Sequence, residues 1–263
     1  MELEVQKPEK PEINGNTGAT PSNQLANTHT FKLLSGVECE VREFTGEHSE
    51  LFTKENVMKG KFIEKMLLAV IVRVGSEEKI DAHFVKSMLS GDRTKVLFEA
   101  RQFTQGFPET YEVSVEFGKR KQSFSFNMED FEEKPYQFQC KEYDEVLEKQ
   151  KVNVELPKSN KKVYFYLLDG HMEENVKKIN QDKATFLTQV AIRKPCFLDE
   201  KGNETLLNMR PLSLRDVNYL NAEMIFQEGE IDTTARVVNQ NDPTEVLNIN
   251  LMATKDFFFP SHR

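Results

Sequence analysis

The chain repeats its own pattern. Displaced by 123 positions, residues 89–128 fall on 212–251 without a gap, and eight of those forty positions are identical. Leu89-Ser90 meets Leu212-Ser213, Leu97 meets Leu220, Phe103 meets Phe226, Gly106 meets Gly229, Thr110 meets Thr233, Val115 meets Val238 and Asn127 meets Asn250. Nearer the start, Phe31-Lys-Leu33 meets Val154-Glu-Leu156, and after a one-residue insertion Phe44-Thr-Gly46 meets Leu168-Asp-Gly170. The order of features carries more weight than the identities. Each half reads as a hairpin, an apolar helical stretch, a helix opened by Leu-Ser, a Gly and a second hairpin. A repeat constrains a fold before any single element does, because each copy must be built from the same few elements. The expectation is an α+β chain of two related modules, each a β-hairpin, several helices and a second β-hairpin, produced by internal duplication.

Residues 1–29 read as a disordered arm, rich in Pro, Asn, Thr, Glu and Lys with scattered apolar residues. The first module covers 30–131, a polar connector 132–151, and the second module 152–263. In the first, Phe31-Lys-Leu-Leu and Glu38-Cys-Glu-Val-Arg flank Ser35-Gly36, a hairpin signal. Lys61–Val74 presents Phe62, Ile63, Met66, Leu67, Val70, Ile71 and Val74 at helical spacing, and Ile80–Leu89 continues the pattern. Ser90-Gly-Asp-Arg predicts an N-cap with an acidic first turn, opening a helix to about Phe103. Tyr111–Phe117 and Ser123–Met128 alternate around Gly118-Lys-Arg-Lys and predict a second hairpin.

The connector contains Pro135 and a short helical run, Tyr143–Gln150. In the second module, Val154-Glu-Leu-Pro and Val163–Leu168 flank Lys158-Ser-Asn-Lys. Helices are predicted at His171–Ile179 and Lys183–Ile192, and an irregular loop at 193–205. Ser213 is predicted to cap a helix to about Gln227, with Asp216 reaching back to the cap amide. Ala235–Val238 and Val246–Leu251 close the module as a hairpin around Asn239-Gln-Asn-Asp-Pro.

Two modules of this size can each bury a core. The interior must be Phe-heavy, since the chain has 20 Phe and no Trp. A net charge of -8 argues against gripping nucleic acid or an anionic membrane. No apolar stretch approaches the roughly 18–20 residues that span a bilayer; Met66–Val74 is the densest and is too short. Met1–Lys10 has no apolar core and does not read as a secretory leader. Cys39, Cys140 and Cys196 are odd in number and far apart, which fits buried thiols in a reducing cytosol rather than disulfides or zinc.

No chemical signature stands out. The histidines His29, His48, His83, His171 and His262 form no metal-ligand spacing, and neither a nucleophile elbow nor a phosphate-binding glycine loop occurs. Asp92, Glu99, Asp216 and Glu223 could form carboxylate pairs, but Asp92 and Asp216 sit in first helical turns, where acids suit the helix dipole. The expectation is no catalytic residue, no metal and no cofactor. Two features suit partners. Lys119, Arg120 and Lys121 form a basic tip that either touches phosphate or is a solvated hairpin tip. Phe257, Phe258 and Phe259 are aromatics where chain ends are ordinarily polar, so they are buried either in the fold or in a partner.

These stretches resemble the baseplate and hub assembly proteins of contractile-tailed, T-even-like bacteriophages. The residues that carry the resemblance are Phe31-Lys-Leu-Leu-Ser-Gly-Val-Glu-Cys-Glu-Val-Arg-Glu-Phe-Thr-Gly46, Leu89-Ser-Gly-Asp-Arg93, Arg101-Gln-Phe-Thr-Gln-Gly106 and Phe257-Phe-Phe-Pro260. It covers about residues 30–260 and its motifs are structural. It implies a non-enzymatic tail baseplate component or assembly chaperone that binds other phage tail proteins. That places it in the host cytoplasm during assembly or in the virion, with no membrane and no nucleic acid required. Cys-x-x-Cys pairs in the hairpins would imply metal, but Val115-Glu-Phe-Gly-Lys-Arg and Val238-Asn-Gln-Asn-Asp-Pro contain none, so metal binding is not carried over. The alternative is a nucleic-acid-binding accessory protein using Lys119–Lys121.

Overall fold

A computed structural model describes residues 27–51, 61–106, 110–177, 190–199, 201–251 and 257. The fold is mixed α+β, with helices packed among several small antiparallel sheets. Strands β1 (Thr28–Lys32) and β2 (Glu38–Arg42) form the first hairpin, and β3 (Ile71–Val74) pairs antiparallel with β2. Between them lies α1 (Phe62–Val70). The apolar run predicted as one helix to Val74 therefore splits. Its last four residues, three of them β-branched, leave the helix and become a strand, where such side chains fit better. Helices α2 (Ala82–Ser87) and α3 (Ser90–Gln105) follow. The predicted cap at Ser90 is displaced: Leu89 occupies the cap position without a side-chain bond, whereas Asp81 caps α2 by accepting the Phe84 N–H at 2.8 Å.

The hairpin β4 (Thr110–Phe117) and β5 (Arg120–Asn127) turns on Gly118, whose φ of +61° suits the first turn position of a two-residue hairpin loop. Only Lys119 of the basic triplet is in the turn; Arg120 and Lys121 are strand residues. Strand β6 (Glu133–Lys134) and α4 (Tyr143–Lys149) lie in the connector. The second half begins with β7 (Lys151–Glu155) and β8 (Lys162–Tyr166), then α5 (Gly170–Lys177). Residues 193–205 are not an irregular loop: β9 (Cys196–Leu198) and β10 (Glu204–Leu206) extend that sheet in the order β10-β9-β8-β7. Helix α6 (Leu214–Gln227) is capped by Ser213 as predicted, its Oγ accepting the Asp216 N–H at 3.2 Å. Strand β11 (Glu230–Ile231) pairs with β6, and β12 (Thr234–Asn239) with β13 (Asp242–Asn250) forms the last hairpin among the described residues.

The two halves share an order of contacts. In each, a third antiparallel strand joins the second strand of the opening hairpin: β3 on β2, and β9 on β8. In each, an Asp in the first turn of the long helix accepts a backbone N–H from the hairpin loop: Ser35 N to Asp92 at 3.0 Å, and Lys158 N to Asp216 at 2.8 Å. Asp216 thus serves the loop rather than its own cap amide. Closing hairpins begin with Thr110↔Asn127 and Thr234↔Asn250. Thr110 corresponds to Thr234, not Thr233, because the loop at 156–161 is one residue longer than that at 33–37. Strand β10 in one half and α2 in the other break the match.

Other predicted boundaries move. Thr28 and His29 belong to β1, so the predicted arm loses its last residues to the sheet; 1–26 lie outside the described residues. The helix predicted at Lys183–Ile192 lies largely outside them too. The connector is packed, not loose. Tyr136, Cys140, Tyr143 and Val146 are buried, and the N–H groups of Tyr136 and Cys140 donate to the Leu34 and Ser35 carbonyls. One buried cluster runs from Leu33 and Leu97 to Phe165, Leu220 and Met224, so the halves share a core. None of the helices among the described residues is long and apolar enough to cross a membrane.

Candidate functional site

Two places combine unusual chemistry with a defined position: the helix at the centre of the core, and the pair of closing hairpins on its outside.

Helix α3 is buried along nearly its whole length, including Asp92, Arg93, Lys95, Glu99, Arg101 and Gln102. Buried charge is costly unless it is paired and hydrogen-bonded. Here each charge is answered by a different element. Asp92 accepts the Ser35 N–H and, at 3.1 Å, the Tyr143 hydroxyl. Arg93 bridges to Glu173 of α5. Lys95 pairs with Glu99 one turn on and with Glu133 of β6. Glu99 also meets His29 of β1 at 3.1 Å. The Arg101 guanidinium lies against the rings of both Tyr111 and Phe257, 4.6 Å from each centroid. These pairings tie the helix to elements of both halves.

At its first turn the two halves touch directly. Ser90 N donates to the Leu168 carbonyl at 2.8 Å, and Gly170 N to Met88 O at 3.3 Å. Tyr136 of the connector is wedged there, its hydroxyl accepting the Gly91 N–H at 3.0 Å and its ring lying against Gly229. Burial pushes the Asp92 carboxyl up from 3.8 to about 6. The folded state therefore holds that proton more tightly than the unfolded chain. The stabilisation is complete below about 3.8 and is lost as pH rises through about 6. A displacement of about two pH units corresponds to about 3 kcal/mol. Urea unfolding followed from about pH 4 to pH 7 should show this decline, set against the opposite trend of carboxyls held low such as Asp199 and Asp216, and Asp92→Asn should remove it. An unchanged profile in Asp92→Asn would assign the slope elsewhere, with Glu228 next in line since burial raises it too.

The two closing hairpins pack on each other through Val115, Phe117 and Val237, with Phe124, Phe126 and Ile249 around them. Gln122 locks the crossing: its amide nitrogen donates to Asn239 at 2.6 Å, and its oxygen accepts the Gln240 N–H at 2.9 Å. Between them opens a cleft of about 320 Å³, lined by Asp130, Glu132, Asp232 and Arg236 with Phe126 and Phe131. Each hairpin is a two-stranded sheet among the described residues, and only Ile249 of β13 is even half-covered. Val238, Val246 and Leu247 are exposed there.

The residues singled out from sequence separate. Lys119, Arg120 and Lys121 are exposed at the β4–β5 tip, where Lys121 approaches Glu116 at 3.4 Å. Phe257 is not a free anchor: it is 1 % exposed and packed edge-on to Tyr111, which corrects its reading as a partner contact. Phe258 and Phe259 lie outside the described residues. The tip and Phe257 do not form one site. Among the described residues no group of three or more His, Cys, Asp or Glu is placed to hold a metal. Cys39, Cys140 and Cys196 are buried, and that burial pushes each thiol up, away from the reactive thiolate. Sequence reasoning missed the outer face of α6, where Leu214, Tyr219, Ile225 and Phe226 are exposed. The signal was present as an apolar pattern running around the helix.

No protein-family model, curated protein or solved structure matches this chain.

Proposed function

We propose that the protein is a non-enzymatic binding component of a contractile phage tail, acting in baseplate or hub assembly, with its two halves as copies of one module. The crossed hairpins carry this reading. A long exposed edge such as β13, held rigidly by Gln122 and the small cluster beneath it, suits pairing with a strand of another chain. Pro243 sits where an edge strand tolerates it, near the turn. The polar helix α3 supports the reading in a second way, since many paired buried charges favour one arrangement over tight packing alone. The placement at a phage tail rests on the sequence resemblance. The net charge of -8 and the Glu116 partner of Lys121 weigh against a nucleic-acid role for the tip.

Mixing the purified protein with hub and baseplate intermediates, followed by gradient sedimentation, tests this. Co-migration is expected. Replacing Val246 and Leu247 by Asp should weaken it at least about tenfold, roughly 1.4 kcal/mol, while the melting temperature stays near that of the parent. Absence from virions and from every intermediate would overturn the reading.

A further inference from the structure

Helices α2 and α5 come from different halves of the chain and meet in register. Lys86 of α2 pairs with Glu174 of α5 at 2.9 Å, and His83 and His171 lie one turn ahead of them on their own helices. The two imidazoles therefore stand side by side, 5.8 Å between ring centroids and tilted by 56°. Both side chains are exposed. The backbone beneath them is pinned. Asp81 caps α2, Asp169 accepts the Met172 N–H at 2.8 Å, and the Gly170 N–H donates to the Met88 carbonyl. Glycine at 170 permits this approach, since a Cβ there would lie 2.9 Å from the Lys86 carbonyl oxygen. The surroundings favour a cation. One ammonium, Lys86, faces two carboxylates, Glu174 and Glu64, while Arg93 and Glu173 cancel each other.

We propose that His83 and His171 form a two-imidazole site for a late first-row divalent cation such as zinc, clipping α2 to α5. Imidazole suits zinc, nickel and copper. With a metal–nitrogen distance of about 2.1 Å, the ion sits about 3.2 Å from each ring centre, so a tetrahedral angle needs about 5.3 Å between centroids. The rings stand 5.8 Å apart, and a small turn of two exposed side chains closes the difference. Among the described residues no third His, Cys, Asp or Glu completes the set, so water fills the remaining positions. Half the protein ligands of a structural zinc site put dissociation on the order of 10–100 μM, which makes the ion exchangeable. Because each half supplies one ligand, the ion adds a link between halves beside the Lys86–Glu174 pair. The site uses none of the crossed-hairpin residues and does not depend on the phage reading.

Isothermal titration calorimetry of the full chain with zinc chloride, at about pH 7.5 where protons compete little for imidazole, tests this. One zinc per chain is expected. His83→Gln and His171→Gln should each weaken binding at least about tenfold, and the double variant should be little worse than either, because one loss already breaks the chelate. Both side chains are exposed, so the metal-free melting temperature of each variant should stay within about 2 °C of the parent. Proton resonances of the two rings should shift together on adding zinc, with those of His29 and His48 unmoved. No binding up to about 1 mM zinc would overturn the proposal. So would binding that survives in the double variant, or that depends on only one of the two histidines.

Discussion

Gly91→Ala is expected to cost about 3 kcal/mol or more, lowering the melting temperature by roughly 6–12 °C. An added Cβ would lie 2.8 Å from the Gly229 carbonyl carbon and 2.9 Å from the Tyr136 hydroxyl. Alanine ordinarily favours a helix by about 1 kcal/mol over glycine. Here the steric term outweighs that preference, because neither obstacle can step aside. The first is backbone at the end of α6. The second is a buried ring already wedged between the helices, with its own hydroxyl bonded to the Gly91 amide. Gly46→Ala provides the control, since its Cβ would meet nothing within 4 Å. Thermal melts within about 2 °C of the parent for Gly91→Ala would mean that this junction between halves is looser than its geometry.

Phe257→Ala should cost about 3–5 kcal/mol, the range for deleting a buried aromatic ring. The ring is 1 % exposed, stands edge-on to Tyr111 at 5.7 Å between centroids, and covers one side of Arg101. Its loss leaves a cavity beside a buried guanidinium, so solvent entry and weaker cation–π contact act together. Chemical denaturation gives the number. A cost below about 1 kcal/mol, combined with weaker binding to tail proteins, would return Phe257 to the role of partner anchor.

Hairpins were legible in the sequence wherever a turn residue stood between alternating strands, as at Gly118 and around Asn239. The start of α6 was legible because Ser213 has a side chain that can cap. Strand β3 was hidden, since Ile71 and Val74 extend the helical spacing of α1 and only the pairing with β2 ends it. β9 and β10 were hidden for a related reason: three-residue strands gain their stability from the neighbour, not from their own pattern. The central helix was the least legible part. Asp92, Arg93, Lys95 and Arg101 look like a solvated face until their partners, distant in sequence, are brought to them. The basic tip was legible as an exposed charge. The open edge of β13 was not, because a strand's free side is a property of the sheet and not of its residues.

The aromatic cover over Arg101 also orders the protein in time. A ribosome delivers Arg101 long before Phe257, so during synthesis the guanidinium meets one ring and not the other. The aromatic cover over Arg101 is therefore complete only once residue 257 has been made. A premature stop codon between positions 252 and 257 would leave that wall missing even though every helix and sheet described above had been translated. Such a product should be cleared by cellular proteases, so nonsense alleles just ahead of position 257 should behave as full losses rather than as mild truncations.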